Sequence, residues 1–152
     1  MSVEVKVLRD VAKVNEALAL ENRRLLDEKG VFAVNLMGSP GSGKTSLIEE
    51  AVKRLKNRYG IAVIEGDIAT SIDAEKVGKY GVRVVEVNTG GTCHLDAHLV
   101  RVALKELDLN GVDLLLIENV GNLVCPAFFN LGEHKSVLVV STPEGDDKAA
   151  KY

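Results

Sequence analysis

Residues 38–45 read Gly-Ser-Pro-Gly-Ser-Gly-Lys-Thr. They stand between an apolar run, Val31 to Met37, and a stretch in which Leu47, Ile48, Ala51, Val52 and Leu55 recur at helical spacing. A strand, a glycine-rich loop of this spacing and then an amphipathic helix leave few folds open to the chain. Glycines reach positive φ and let backbone N–H groups close around an anion. The helix, expected from Thr45 to about Arg58, adds the positive end of its dipole. Gly38, Ser39, Pro40, Gly41, Ser42 and Gly43 are therefore assigned to the phosphates of a nucleotide, with Lys44 reaching the β- and γ-phosphates and the Thr45 hydroxyl on Mg²⁺. Without a ligand, Lys44 is expected to face solvent.

The remaining apolar and β-branched runs, Ile61–Ile64, Val82–Val87, Val112–Ile117 and Ser136–Val140, bring the expected strands to five. Helices are expected between them at about Asp73–Tyr80 and at Leu95–Leu107, the latter with Leu99, Val102, Ala103 and Leu107 on its apolar face. An opening helix is expected from Asp10 as N-cap to Lys29, with Val11, Val14, Leu18 and Leu25 inward and Gly30 as its stop. Such alternation predicts an α/β fold of the P-loop NTPase type, a mostly parallel sheet with helices on both faces. No linker, repeat or low-complexity stretch divides the sequence, so residues 1–152 read as one domain with residues 1–30 as a helical extension. The three prolines are expected in loops.

With 19 basic and 22 acidic residues the formal charge is −3, and there is no basic stripe to suit nucleic acid. Neither a secretory signal nor an apolar run of spanning length is visible, which predicts a cytoplasmic protein with no membrane partner. In a reducing compartment Cys93 and Cys125 remain thiols, available as metal ligands.

Two further constellations carry chemistry. Leu114–Ile117 ends in Glu118, with Gly121 three residues on, and an acid at the carboxyl end of a buried strand faces the crevice where α/β sheets bind ligands. There Glu118 can orient a Mg²⁺-bound or attacking water, and Gly121 can approach the terminal phosphate. Asp67 and Asp73 follow the second strand, where a switch loop meets nucleotide and Mg²⁺; Asp73 is the second candidate catalytic acid. The other constellation is Cys93-His94-Leu95-Asp96-Ala97-His98 together with Cys125-Pro126. Soft thiolates beside an imidazole suit Ni²⁺ or Zn²⁺. His94 and His98, one helical turn apart, are expected on one face at a helix start, which would let His98 join the site. Cys93, His94 and Cys125 are one short of a closed tetrahedron, so the fourth ligand is water, His98 or a residue of a second copy.

Taken together, the loop at 38–45, Gly66-Asp67, Cys93 to His98, Glu118 to Ala127 and Ser141 to Lys148 resemble the HypB family, the GTPases of hydrogenase nickel incorporation. The resemblance spans nearly the whole chain. It implies a GTP-hydrolysing metallochaperone that delivers nickel to the large subunit of [NiFe]-hydrogenase alongside other maturation factors. It also implies a homodimer in the GTP-bound state, with the metal at the subunit interface. Cys93, His94 and Cys125 then match the family's metal ligands, and Gly43, Lys44 and Thr45 its nucleotide and Mg²⁺ residues. Two departures stand out. Residues 1–8 hold neither a cysteine pair nor a histidine-rich stretch, so nickel storage is not expected. The Asn-Lys-x-Asp element that reads guanine in such GTPases is not found before Tyr152, so the chain is read as a piece of a longer family member. A P-loop ATPase or small-molecule kinase is the alternative enzyme, and a metal-binding fragment unable to hold nucleotide is the alternative from another class.

Overall fold

The computed structural model describes residues 2–67 and 72–151. Five strands form one sheet: β1 (Phe32–Met37), β2 (Ile61–Asp67), β3 (Arg83–Asn88), β4 (Leu114–Glu118) and β5 (Lys135–Leu138). All neighbours run parallel, in the order β3-β2-β4-β1-β5. Placing β4 between β1 and β2 brings the carboxyl ends of three strands together. Leu36 of β1 and Glu65 of β2 both stand opposite Glu118 of β4.

Alternation along the strands divides the core between two faces, because successive side chains in a strand point to opposite sides. Ala62, Ile64, Leu115 and Ile117 pack with α1 (Ser2–Lys29) and α4 (Ala97–Glu106) through Leu26, Val100, Ala103 and Leu104. Ile61, Val63, Leu36 and Leu116 face the other way, onto Ile48 and Val52 of α2 (Lys44–Leu55) and Val77 of α3 (Ile72–Gly78). Helices thus cover both faces, as the alternation requires. A short α5 (Lys148–Lys151) closes the described chain. Two of the prolines open 3₁₀ turns rather than loops: Pro126 in Cys125–Phe128 and Pro143 in Thr142–Glu144.

Four expectations about helices need correction. The opening helix starts at Ser2, with Asp10 inside it, because no glycine or proline interrupts residues 2–9. Its buried stripe is Asn15, Ala19, Asn22 and Leu26, while Val11 and Val14 are 53% and 61% exposed. The two asparagines turn inward because they meet backbone groups far away in sequence. Asn22 Nδ2 donates to the carbonyls of Ala97 and Leu131 at 2.9 and 3.0 Å, and Asn15 accepts from the Ala97 N–H while donating to the Asn130 carbonyl. Asn15 is bonded through both its oxygen and its nitrogen and Asn22 through its nitrogen, and bonds to fixed backbone groups hold the helix in one register. In α4, Val102 is exposed and Val100 and Leu104 take its place in the core. On α2, Leu47 is likewise exposed, and Ile48 and Val52 carry the burial.

This reassignment of the α1 face has a measurable consequence. Leu26→Ala removes a fully buried side chain and is expected to cost about 2–5 kcal/mol in denaturant unfolding. Val14→Ala, on the exposed face, should stay within about 0.5 kcal/mol of the parent. Equal costs would return Val14 to the core.

Candidate functional site

The loop after β1 wraps back on itself before α2 begins. Gly43 caps α2 at φ 105° and ψ 15°, a left-handed conformation that a side chain resists. Across the loop, a Cβ on Gly121 would lie 2.8 Å from Pro40 Cγ and 3.0 Å from Pro40 N, so the segment after β4 approaches at a distance only glycine allows. Lys44, expected in solvent, is instead only 6% exposed. Its Nζ donates to the carbonyls of Gly38 and Ser39 at 2.9 and 3.2 Å. Burial lowers its pKa from the usual lysine value, and the nearby carboxylates of Glu118, Asp73, Glu65 and Glu144 oppose that shift. The lysine therefore braces the loop from within.

Thr45 Oγ1 donates to Glu118 Oε1 at 2.7 Å. With its proton committed to the carboxylate, the hydroxyl has lone pairs left for a hard cation. Glu118 is itself buried, and its second oxygen, like the buried Ser42 hydroxyl, has no hydrogen-bond partner. Glu118 borders a cleft of ≈ 470 Å³ between Pro40–Gly41, Gly43–Ser46, Gly66-Asp67, α3 and residues 118–121. Asp67 and Asp73 both line it. Asp73 is paired with Lys76 at 3.0 Å, and Lys76 is a second cation on the cleft that sequence reading passed over. The rest of the expected switch loop, residues 68–71, lies outside the described residues. Glu144, from the far end of the chain, lies near enough to Lys44 to raise its pKa. Hydrogen bonds from the Ser39 hydroxyl and the Ser141 N–H hold its carboxyl below the usual carboxylate range. Its size, an unpaired Glu118 oxygen and the Lys44 cation all fit a Mg²⁺–nucleotide.

A second cluster sits a short way along the same sheet edge. Cys93 and His94 follow β3, and Cys125 opens a 3₁₀ turn whose Pro126 is buried. One ligand atom from each of the three lies within 4.8 Å of the others, and all three residues are half-buried. Cys93 Sγ is 3.9 Å from His94 Nδ1. The His94 ring stacks on Phe129 with centroids 4.1 Å apart, which sets the plane of the imidazole. A hydrogen bond donated to Cys93, and then burial, push the Cys125 thiol up. Two thiols and an imidazole are a donor set for Zn²⁺ or Ni²⁺.

His98 does not belong to this cluster. Asp96 is the N-cap of α4, accepting from the Leu99 N–H at 2.8 Å, so the helix starts at Ala97 and His94 precedes it. One-turn spacing therefore never applies to the two histidines. The remaining histidine is structural in its contacts: His134 Nδ1 accepts from the Ala33 N–H, and Nε2 lies 2.8 Å from Asp27.

Asparagines join the two sites. Asn122 N donates to the Gly38 carbonyl at 3.0 Å, the same oxygen that receives Lys44, while its side chain donates to the Cys93 carbonyl at 3.4 Å. The buried Asn119, next to Glu118, accepts from the Leu95 N–H at 3.0 Å and donates to Asn35 at 3.2 Å. Leu95, fully buried, packs where a Cβ on Gly66 would stand. The loop carrying Cys93 and His94 is thereby tied to the strand ends that carry the cleft.

A profile of the CobW/HypB/UreG nucleotide-binding domain matches residues 32–142. The chain is 53% identical over 146 residues to the "probable hydrogenase maturation factor HypB" of Methanocaldococcus jannaschii, an alignment covering 96% of this chain and 66% of that protein. The chain belongs to the HypB family. Among solved structures, HypB of Archaeoglobus fulgidus superposes with a TM-score of 0.82 at 47% identity, covering 91% of this chain and 68% of that one. HypB of Helicobacter pylori, solved in complex with nickel, gives 0.84 at 40% identity, with 91% and 65% covered. The fold is thus that of the HypB P-loop proteins. The chain spans 66% and 50% of the length of two curated HypB relatives it matches. No helix among the described residues is long and apolar enough to cross a membrane.

Proposed function

We propose that this chain is the nucleotide- and metal-handling part of a GTP-hydrolysing metallochaperone that supplies nickel during [NiFe]-hydrogenase maturation. The observation that carries this reading is the juxtaposition of a phosphate cleft and a Cys93–His94–Cys125 cluster, joined by hydrogen bonds through Asn119 and Asn122. Family membership supports it, as does the nickel complex of the H. pylori relative.

In the cleft, Lys44 exchanges its two carbonyl partners for β- and γ-phosphate oxygens, and the N–H groups of Gly41 to Thr45 surround the β-phosphate. Mg²⁺, when bound, neutralises developing charge on the phosphates. Thr45 offers its hydroxyl lone pairs on that side while its proton stays on Glu118. Glu118 orients water, Asp73 faces the cleft from α3, and Asp67 and Gly121 border the phosphates. Cys93, His94 and Cys125 hold the Ni²⁺ or Zn²⁺ cargo, and a second copy completes the coordination when GTP brings two protomers together. Hydrolysis then loosens the pair and releases the metal to the hydrogenase large subunit, with other maturation factors as cytoplasmic partners.

The test is reciprocity. If one dimer serves both ligands, Ni²⁺ tightens a non-hydrolysable GTP analogue by the same factor by which the analogue tightens Ni²⁺, on the order of 5- to 150-fold. Sedimentation should show the dimer favoured by each. Equal affinities with an unchanged monomer–dimer balance would leave two independent sites and remove the switch.

A further inference from the structure

Two cations, Lys44 and Lys76, stand among the described residues that line the cleft, with the carboxylates of Asp67, Asp73 and Glu118 around them. A nucleoside triphosphate brings further negative charge into that space, and phosphoryl transfer depends on positive groups placed where charge gathers. Lys44 supplies one from inside the loop. Lys76 stands on the wall that α3 forms, with its root fixed and its head free to move. The next residue, Val77, is fully buried in one cluster with Ile48 and Val52 of α2, the helix that begins at Lys44. That packing sets the Lys76 backbone relative to the phosphate loop. The ammonium donates to Asp73 Oδ1 at 3.0 Å, three residues back on the same helix, and the two side chains are 49% and 42% exposed. Exposed pairs of this spacing add little stability, whereas a charge-assisted bond to phosphate is one of the strong ones. Lys79, three residues on, faces elsewhere: it pairs with Glu49 at 3.2 Å and lies over the Tyr80 ring, off the cleft.

We propose that Lys76 is a further catalytic residue of nucleotide hydrolysis, leaving Asp73 for an oxygen of the terminal phosphate and neutralising the charge that develops there in the transition state. It does within one chain what an arginine finger does in other GTPases. In that step the water oxygen bonds to the γ-phosphorus while the bond to the β–γ bridging oxygen breaks, and the electron pair leaves with the diphosphate. One proton of the water stays on the inorganic phosphate and the other passes to solvent. Lys76 remains an ammonium throughout, contributing charge and hydrogen bonds. This inference rests on reading the cleft as a Mg²⁺–nucleotide site.

The experiment is single-turnover GTP hydrolysis by the full chain, with GDP affinity and thermal unfolding measured in parallel, on wild type, Lys76→Ala, Lys76→Arg and Lys79→Ala. Lys76→Ala should slow hydrolysis of bound GTP by about 100- to 1,000-fold, the loss that follows removal of one preorganised transition-state donor. GDP affinity should stay within about threefold, because GDP lacks the phosphate that Lys76 meets. Lys76→Arg keeps a cation and should retain the rate to within about tenfold. Lys79→Ala, off the cleft, should hydrolyse as wild type does. Melting temperatures of the Lys76 variants should stay within about 4 °C of wild type, since the pair with Asp73 is exposed. A Lys76→Ala protein that hydrolyses at the wild-type rate would overturn the proposal. Joint loss of rate, GDP affinity and melting temperature in both Lys76 variants would also overturn it, since that pattern marks a structural role. A second arm separates contact with phosphate from service to Asp73. In an Asp73→Asn background Lys76→Ala should still slow hydrolysis, and loss of its effect there would make Lys76 a holder of Asp73 and overturn the direct role. No binding of nucleotide by wild type would overturn the reading of the cleft itself, a different result from any of these.

Discussion

Lys44→Ala is expected to lower affinity for a non-hydrolysable GTP analogue by about a hundredfold or more, since the ammonium makes charge-assisted hydrogen bonds that nothing else at that position replaces. Turnover should fall with it. Lys44 is buried, yet its loss spares the fold. The two carbonyls it braces keep other donors: Gly38 O receives Asn122 N at 3.0 Å, and Ser39 O receives Ser42 N at 3.1 Å. The variant also sheds a cation whose charged form burial disfavours. Its melting temperature should therefore stay within a few degrees of wild type while calorimetric titration shows binding lost. A folded Lys44→Ala protein that binds and hydrolyses at the parental level would move the phosphate site elsewhere.

The elements that were legible in the sequence are those whose chemistry is local. The Gly38–Thr45 loop, Glu118 at a strand end and the Cys93-His94 pair each announce themselves within a few residues, because backbone approach, dipole and donor type are short-range matters. The strands were legible for a related reason: sheets covered on both faces demand continuous apolar runs. What escaped notice depends on contacts remote in sequence. Asn15 and Asn22 look like solvent-facing residues of an amphipathic helix until the carbonyls of Asn130 and Leu131 are placed beside them. Glu65 reads as a polar end to a strand, and only the insertion of β4 beside β2 sets it against Glu118. The placing of His98 with the metal ligands had a local remedy, since Asp96 three residues before Leu99 is an N-cap signal that starts the helix after His94. Lys44 was expected in solvent because the motif specifies its partner in the bound state and is silent on the carbonyls it holds otherwise.

Cys93→Ala and Cys125→Ala are each expected to weaken Ni²⁺ or Zn²⁺ binding by about two to three orders of magnitude, taking a structural zinc site's roughly 10–16 kcal/mol as shared among four ligands. His94→Ala should follow in the same direction. His98→Ala is the internal control, because His98 stands outside the cluster that the two cysteines and His94 form. Proton release gives a second signature. The thiols bind metal as thiolates, and the hydrogen bond it donates to Cys93 keeps the Cys125 thiol protonated to higher pH than usual. Metal must therefore displace protons, and affinity falls as pH falls, by up to about tenfold per pH unit for each thiol still protonated in the free protein. Wild type should release protons as it takes up metal near neutral pH, and Cys125→Ala about one fewer, measured by metal titration in buffers of different ionisation enthalpy. If both cysteine variants matched wild type in affinity and in protons released, the thiols would be packing groups. The hydrogen bonds through Asn119 and Asn122 would then connect the nucleotide cleft to a loop with no cargo.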